Sequence, residues 1–321
     1  MGGVSGTHPS GAELERPRIL VIKLGALGDF VQAMGPAAAI RAHHAEAAIT
    51  LLTTAPFAEL ARRAPYFDDV WIDERPGLLT PRRLIALRRR LRAAGFTRVY
   101  DLQTSFRSSG YFHLIGPGSR PQWSGIARGA SHPHDSPGRN LMHTLDRQAD
   151  QLRRAGIVTA PPPELGWAAD HVSRLELPER VVVLVPGGAA HRPAKRWPVA
   201  RYGELAAIIA ARQATPLIVG GGQEAPLAAA ILARCPTARD LTGRTGLGDI
   251  VALGRLALHA VGNDTGPMHL LVAAGCKATV LFSGASDPDL TAPRGAGVVI
   301  LQRPNLADLP IAEVAATLGF G

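Results

Sequence analysis

Residues 261–275 read VGNDTGPMHLLVAAG, and this stretch predicts a buried strand that enters a helix through a short polar turn. The apolar run 256–261 suits the strand, Asp264 or Thr265 can cap the helix, and Gly275 can end it. A helix that begins behind a strand presents free backbone N–H groups and the positive end of its dipole. The stretch therefore predicts an anion site or an ordinary capped helix. The polar cluster is denser than capping requires: Asn263, Asp264, Thr265 and His269.

Strand and helix signals alternate along the chain, which predicts an α/β protein with mostly parallel sheets. The alternation pauses at residues 160–163, where three consecutive prolines favour an extended segment. Residues 117–139 are rich in Gly, Pro, Ser and His and predict a long surface loop. Ligands of such sheets bind outside the carboxyl ends of the strands. We expect a disordered tail at residues 1–16 and an N-terminal Rossmann-like domain at residues 17–160. A linker at residues 161–180 then leads to a C-terminal Rossmann-like domain at residues 181–321.

The composition indicates a soluble folded protein with a strong positive charge. Of the 321 residues 46% are hydrophobic, and 35 Lys and Arg against 26 Asp and Glu give a net charge of +9. This balance favours anionic partners such as phosphates or an acidic membrane surface. Aromatic residues, at 5%, are too sparse for a nucleic-acid surface. Two cysteines, no secretory segment and no apolar run of ~18 residues predict an intracellular protein without a transmembrane helix.

A loop with two glycines follows the first predicted strand. Residues 23–29 read KLGALGD, and Gly25 and Gly28 let the backbone approach a ligand closely. Asp29 stands at the start of the next helix, where it can face the cleft or simply cap the helix. A dinucleotide fingerprint is disfavoured, because a third glycine and an acidic residue at the end of the second strand are missing.

Three further loops follow strands of the second half. Residues 186–198 read PGGAAHRPAKRWP, and their backbone N–H groups and cations suit a diphosphate, although a solvated basic loop has the same composition. Glu224, after Gly220-Gly221-Gly222, can accept hydrogen bonds from ribose hydroxyls or can face the helix dipole. Asp287-Pro288-Asp289 looks like a metal-binding pair, but the intervening proline favours a turn. We therefore expect no essential metal and no cofactor.

Together these motifs resemble those of the ADP-heptose:lipopolysaccharide heptosyltransferases, glycosyltransferase family 9. The resemblance covers residues 18–318. Its motifs are Gly28-Asp29 with Pro36, Lys195-Arg196-Trp197-Pro198, and Asp264-Thr265-Gly266-Pro267-Met268-His269 followed by Gly284-Ala285-Ser286-Asp287-Pro288. It implies a GT-B fold, in which two Rossmann-like domains face each other across a cleft, with the acceptor in the first and an ADP-sugar in the second. It also implies metal-independent, inverting transfer of heptose from ADP-heptose to the lipopolysaccharide inner core, by a cytoplasmic protein peripheral to the inner membrane.

The resemblance implies roles for individual residues. Asp29 looks like the general base that deprotonates the acceptor hydroxyl, Lys195 like a diphosphate ligand, and Glu224 like the ribose contact. An inverting transfer needs such a carboxylate on the acceptor side and positive charge at the departing diphosphate. Acceptor binding is expected of Gly28, Arg62, Arg63 and Arg107. Donor binding is expected of Gly187, Gly188, Lys195, Glu224, Asp264, Thr265, Gly266 and His269.

Two other functions stay open from the sequence: a transferase of the same fold with another donor or acceptor, and a non-catalytic nucleotide-sugar-binding module. The presence of both Asp29 and Lys195 weighs against the second. Residues 81–94 predict a helix with a narrow leucine stripe at Leu84, Leu87 and Leu91, which we expect to pack on the sheet. Its arginines are expected to dock reversibly on an anionic membrane surface: Arg82, Arg83, Arg88, Arg89, Arg90 and Arg92.

Overall fold

The computed structural model describes residues 16–77, 79–118, 120–188 and 192–320. Residues 1–15 of the predicted tail and residues 189–191 of the predicted diphosphate loop lie outside these ranges. Within them, the chain forms two six-stranded sheets in which every strand pair is parallel. Helices connect the strands, as the alternating pattern of the sequence predicts.

The first unit is built around an apolar strand whose residues 19–22 are fully buried. Its strands are β1 (Arg18–Ile22), β2 (Ala48–Thr53), β3 (Asp69–Ile72), β4 (Arg98–Asp101), β5 (Gln122–Gly125) and β6 (His132–Pro133), in the order β3-β2-β1-β4-β5-β6. Its helices are α1 (Leu27–Gln32), α2 (Met34–His43), α3 (Ala55–Arg63), α4 (Pro81–Ala93), α5 (Phe106–Ile115) and α6 (Thr144–Arg154).

The second unit repeats this arrangement around the fully buried strand Val181–Val185. Its strands are β7 (Val181–Val185), β8 (Thr215–Ile218), β9 (Arg239–Asp240), β10 (His259–Asn263), β11 (Ala278–Ser283) and β12 (Val298–Arg303), in the order β12-β11-β10-β7-β8-β9. Its helices are α7 (Val199–Ala211), α8 (Ala225–Leu232), α9 (Leu247–Leu256), α10 (Gly266–Ala273), α11 (Pro288–Thr291) and α12 (Ile311–Ala316).

The interpretation of residues 117–139 as a surface loop is wrong. Two short strands, β5 and β6, cross this region and extend the first sheet beyond β4. Trp123 of β5 is fully buried and packs edge-on against Phe112 of α5. Because the strands are short and contribute one large apolar side chain, their composition resembles that of a loop.

The helix predicted behind residue 261 is present as α10, and its boundaries explain the local sequence. Strand β10 runs to Asn263, and Thr265 takes the N-cap position without a side-chain capping bond. Pro267 stands in the first turn, where a missing N–H does no harm. Gly275, with a φ of +96°, follows the last turn in the left-handed conformation that ends many helices.

Residues 161–180 leave the first unit and pack against the second. Leu165 is fully buried, and its N–H donates to the carbonyl of Ala273 at 3.0 Å. Asp170 donates its N–H to the carbonyl of Gly248 at 3.1 Å. The N-terminus of α6 also contacts the second unit, because Asp146 forms two hydrogen bonds of 2.8 and 2.9 Å with Arg294. The cleft between the sheets is therefore closed at both of these places.

Helix α4 packs on the first sheet through its leucine stripe. Leu91 is buried and Leu84 and Leu87 are half-buried. Part of its positive charge is used within the protein, since Arg88 donates to the carbonyl of Leu114 at 3.0 Å and Arg90 lies 3.8 Å above the ring of Trp71. No helix in the described ranges is both long and apolar enough to cross a bilayer.

Candidate functional site

Two adjoining cavities open where the carboxyl edges of the two sheets face each other. The first has a volume of about 710 Å³ and the second of about 390 Å³. Residues from both units line them. The shared wall consists of Ala26, Gly28, Asp29, Arg192, Lys195, Asp264, Thr265 and Gly266. The first cavity continues along residues 187–188 and 219–224, and the second along His269, Gln32 and residues 285–291.

Asp29 projects from the first turn of α1 into both cavities. The N-cap of this helix is Ala26, so Asp29 does not cap it. Its half-buried carboxylate makes no hydrogen bond or ion pair with any residue that the structure describes. A carboxylate held at a cleft without a partner can accept a proton from a bound hydroxyl group.

Lys195 and Asp264 form an ion pair on the opposite wall. The Nζ of Lys195 lies 2.5 Å from Oδ2 of Asp264, and both side chains are largely buried. Asp264 occupies the turn between β10 and α10, so its carboxylate orients the lysine and leaves the start of α10 uncapped by a side chain. The arrangement places an ammonium group beside a helix N-terminus, and both attract an anion.

Asn263 is fully buried and anchors the loops that form this wall. Its Oδ1 accepts hydrogen bonds from Trp197 N–H at 2.9 Å and Tyr202 Oη at 3.1 Å. Its Nδ2 donates to the carbonyls of Pro186 and Gly187 at 2.9 and 3.0 Å. With all its hydrogen bonds made inside the protein, Asn263 fixes the loop on both sides of Lys195. Its role is therefore structural.

Glu224 lies at the far end of the first cavity, largely buried under two glycines. A Cβ on Gly187 would stand 2.7 Å from Cγ of Glu224, and one on Gly220 would stand 2.9 Å from its Cβ. Glycine at these positions lets two loops close over the glutamate. Gly188 adds a backbone carbonyl that accepts from Arg196 at 2.6 Å.

His269 faces the first unit from α10. Its ring is buried against Gly28, and its Nδ1 has no partner among the described residues. Burial lowers the pKa of His269 to about 4, although the carboxylates of Asp264 and Asp29 act in the opposite direction. The imidazole is therefore neutral at neutral pH and can donate one hydrogen bond and accept another.

The three arginines expected to bind the acceptor do not line these two cavities. Arg62 is exposed on α3. Arg63 forms an ion pair of 2.6 Å with Asp170 and ties α3 to the segment between the units. Arg107 donates to the carbonyl of Pro76 at 3.1 Å. The structure thus separates these side chains from Gly28, which lies in the shared wall.

Other cavity residues were not singled out from the sequence. Arg192 lines both cavities, and its guanidinium has no partner among the described residues. Gln32 donates to the carbonyl of Thr291 at 3.1 Å across the cleft, and the Oγ of Ser286 is buried without a partner. The cationic loop signalled Arg192 and a motif of the resemblance contains Ser286, whereas Gln32 stands in no pattern that indicates a site.

The Asp287-Pro288-Asp289 segment is a helix start. Asp287 accepts a hydrogen bond from the N–H of Asp289 at 2.9 Å and so caps α11. This geometry is the turn that the intervening proline predicts. In the described part of the chain, no three His, Cys, Asp or Glu side chains are grouped so that they could hold a metal ion.

Buried charges lie beneath Asp29 in the first unit. Lys23 is buried and donates to the carbonyl of Leu102 at 3.3 Å. Burial lowers the pKa of Lys23, and the carboxylates of Asp29 and Asp101 oppose this shift. Burial raises the pKa of Asp101 to about 6. Lys23 and Asp29 both line a small polar cavity, which also includes Gln103, Arg147 and Gln151.

Comparison with known proteins places this geometry in a family. The family model described as Glycosyltransferase family 9 (heptosyltransferase) matches residues 84–313. Lipopolysaccharide heptosyltransferase 2 of Escherichia coli K12 is 27% identical over 304 residues, which cover 86% of this chain and 85% of that protein. The glycosyl transferase family 9 structure from Veillonella parvula superposes with a TM-score of 0.82 at 20% identity, over 96% of this chain and 98% of the other. The structure of E. coli heptosyltransferase WaaC with ADP superposes with a TM-score of 0.73 at 18% identity, over 93% and 98%. These likenesses confirm the predicted fold of two Rossmann-like domains.

Proposed function

The chain belongs to glycosyltransferase family 9, and from this membership we propose that it transfers heptose from ADP-heptose to the inner core of lipopolysaccharide, with inversion at the anomeric carbon. The observation that carries the proposal is the position of Asp29. Its unpaired carboxylate in the first unit faces the Lys195–Asp264 ion pair of the second across one cavity. This is the arrangement that a single displacement needs: a base on one side and positive charge at the leaving group on the other.

In the proposed reaction, Asp29 takes the proton of the acceptor hydroxyl as its oxygen attacks the anomeric carbon. The bond from that carbon to the diphosphate breaks on the opposite face, and ADP departs with the bonding electrons. Lys195, Arg192 and the N-terminus of α10 meet the growing negative charge. The proposal assigns this charge neutralisation to protein groups, without an essential metal.

The first cavity is proposed to hold ADP, and the second the transferred sugar. A volume of about 710 Å³ is ample for a nucleoside diphosphate, and Glu224 lies at the end where ribose hydroxyls can donate to it. The second cavity offers sugar hydroxyls the ring of His269 and the hydroxyl of Ser286. The solved relative with ADP supports the choice of nucleotide, and the curated relative's name supports the choice of acceptor. A lipid-linked acceptor would bring the protein to the inner face of the inner membrane.

The proposal is tested with purified protein and a panel of ADP-heptose, ADP-glucose and UDP-glucose. We expect ADP-heptose to raise the melting temperature most. We also expect it alone to yield a heptosylated product with heptose-free inner-core lipopolysaccharide, whether or not EDTA is present. NMR of the new linkage reports inversion. Stabilisation by UDP-glucose alone would favour a transferase with another donor. Binding without turnover on any acceptor would favour a nucleotide-sugar-binding module.

A further inference from the structure

Three large apolar side chains of the first unit are exposed to solvent on segments that follow strands of its sheet. Leu79 is 99% exposed, Phe106 98% and Leu141 81%. They lie on the segments that follow β3, β4 and β6. Since parallel strands end at the same edge of a sheet, all three stand at the carboxyl edge of the first unit, the edge that also carries Asp29.

The order of the strands places these side chains on both sides of the strand that leads to Asp29. Strand β1, which leads to Asp29, lies between β3 and β4 in the sheet. At the usual strand spacing the row from β3 to β6 is roughly 24 Å long. The row therefore runs along the same sheet edge that carries Asp29.

The loops that carry Leu79 and Phe106 are held to each other. Arg107, next to Phe106, donates to the carbonyl of Pro76 at 3.1 Å. Thr80, next to Leu79, accepts the N–H of Gly77 through its Oγ1 at 3.0 Å. Leu79 and Phe106 thus stand next to residues that are held by hydrogen bonds.

The segments that carry the row, with the residues next to them, hold more arginines than acidic residues. The acidic side chains on the same segments are engaged within the protein: Glu74 pairs with Arg83 at 3.3 Å, Asp135 with Arg154 at 2.7 Å, and the buried Asp73 accepts from Tyr111. Exposed apolar side chains flanked by arginines are found where a protein binds the headgroups of an anionic membrane. The arginines on or next to these segments are Arg75, Arg82, Arg83, Arg107 and Arg139. Arg83 is the partner of Glu74, and Arg75 and Arg107 also donate to the carbonyls of Leu24 and Pro76.

We propose that this edge is a membrane-docking surface, in which Leu79, Phe106 and Leu141 enter the acyl boundary of an anionic leaflet while the arginines face lipid phosphates. The choice of a membrane over other partners rests on the proposed function, because a lipid-linked acceptor must reach Asp29 from a bilayer. The surface includes Arg82 and Arg83 at the start of α4 but not Arg88, Arg89, Arg90 and Arg92 farther along that helix, which the sequence also indicates. Docking by this edge turns the mouth of the cleft toward the bilayer.

Co-sedimentation with vesicles tests the surface. The wild type is compared with the Leu79→Gln/Phe106→Gln double variant on phosphatidylethanolamine–phosphatidylglycerol vesicles and on phosphatidylcholine vesicles. We expect binding to the anionic vesicles only. We expect the partition coefficient to fall about tenfold for each side chain replaced. The matched control is Val158→Gln/Leu256→Gln, which alters side chains 78% and 54% exposed that lie away from this edge.

Several outcomes overturn the proposal. One is a wild type that does not bind anionic vesicles at low salt. Another is a loss of vesicle binding in the Val158→Gln/Leu256→Gln control that equals the loss in the double variant. A third is loss of binding in Arg89→Gln, on the outer face of α4, with none in the double variant. A change of oligomeric state in the double variant, seen by light scattering, would make the edge an interface between copies. The rise in melting temperature with ADP-heptose is measured in parallel. A double variant that keeps this rise but no longer binds vesicles supports docking. A wild type that shows no such rise counts against the proposed function alone.

Discussion

Gly266, the first residue of α10, lies directly against Leu27, the first residue of α1: a Cβ on Gly266 would stand 2.7 Å from the Cβ of Leu27. Gly28 and His269 repeat this relationship, since a Cβ on Gly28 would stand 2.8 Å from Cδ2 of the histidine. One helix from each unit thus begins in contact with the other at the cleft. The approach needs glycine at both positions because no side chain fits between the helices.

Gly266→Ala is expected to push α1 and α10 apart. The Cβ of Leu27 is fixed to its backbone and cannot swing away, so the added methyl group must displace a helix. Overpacking of this kind lowers the free energy of unfolding by about 1–3 kcal/mol. Urea unfolding measures it. Gly110→Ala, on the exposed part of α5 where no heavy atom lies within 4 Å, should have no such effect. Equal stability of the two variants would contradict the close contact.

Asp29→Asn is expected to remove turnover and leave nucleotide binding intact. The amide keeps the shape of the side chain but cannot take a proton from the acceptor, and loss of a general base lowers kcat by about 10²–10⁴-fold. Initial rates with saturating substrates measure kcat, and calorimetry measures the Kd of ADP. Glu46→Gln, an exposed carboxylate outside the cleft, is the control. Activity of Asp29→Asn within a few-fold of wild type would exclude Asp29 as the base.

Lys195→Met is expected to weaken binding of the donor and to slow its transfer. The change removes positive charge from the diphosphate and leaves Asp264, its partner at 2.5 Å, as an unpaired and largely buried carboxylate. We expect kcat/KM for the donor to fall by about 10²-fold or more, because both effects oppose an anion. Lys277→Met on the exposed surface controls for a general loss of charge.

A double-mutant cycle separates the two effects at Lys195. If the ion pair acts as a unit, Asp264→Asn combined with Lys195→Met should be less damaging than the sum of the single changes. The coupling is expected to be of the order of 1 kcal/mol or more, because residues in direct contact are rarely additive. Additive losses would show that the pair seen at 2.5 Å does not matter for the donor.

The sequence predicts the fold well because its signal is local. Buried apolar runs such as 181–185, each followed by a glycine-bearing turn, identify the main strands and the edge at which polar residues gather. The prediction failed at β5 and β6, where the pairing of β5 with β4 and of β6 with β5 makes strands of residues with little strand character. Sheet pairing of this kind depends on neighbours far along the chain and leaves little trace in composition.

The site is predictable to the level of the loops and not of the contacts. Asp29, Lys195 and Asp264 could be placed at the cleft because each follows a strand. The ion pair between Lys195 and Asp264 could not be predicted, because the two residues are 69 positions apart and each was expected to contact the ligand. Arg63 illustrates the same limit: its partner Asp170 lies in the segment between the units, whose path the sequence leaves open.

Acid is expected to destabilise the protein through histidines that are buried in neutral form. Burial lowers the pKa of His134, His259 and His269 to about 4. In the unfolded chain the pKa of a histidine is about 6.5, so unfolding takes up protons between these two values. Each histidine can lower the free energy of unfolding by about 3 kcal/mol as the pH falls through this window.

Asp101 acts in the opposite direction, because its pKa of about 6 lets the folded state bind a proton before the unfolded state does. Burial also lowers the pKa of the half-buried His44 to about 4. With four histidines against one carboxyl group, the free energy of unfolding should fall from pH 6.5 to pH 4, as urea titrations across this range would show. His259→Gln, remote from the cleft and bonded to Thr279, should flatten this fall, and Asp101→Asn should steepen it. Stability that is constant or rises toward pH 4 would contradict the buried neutral state of these side chains.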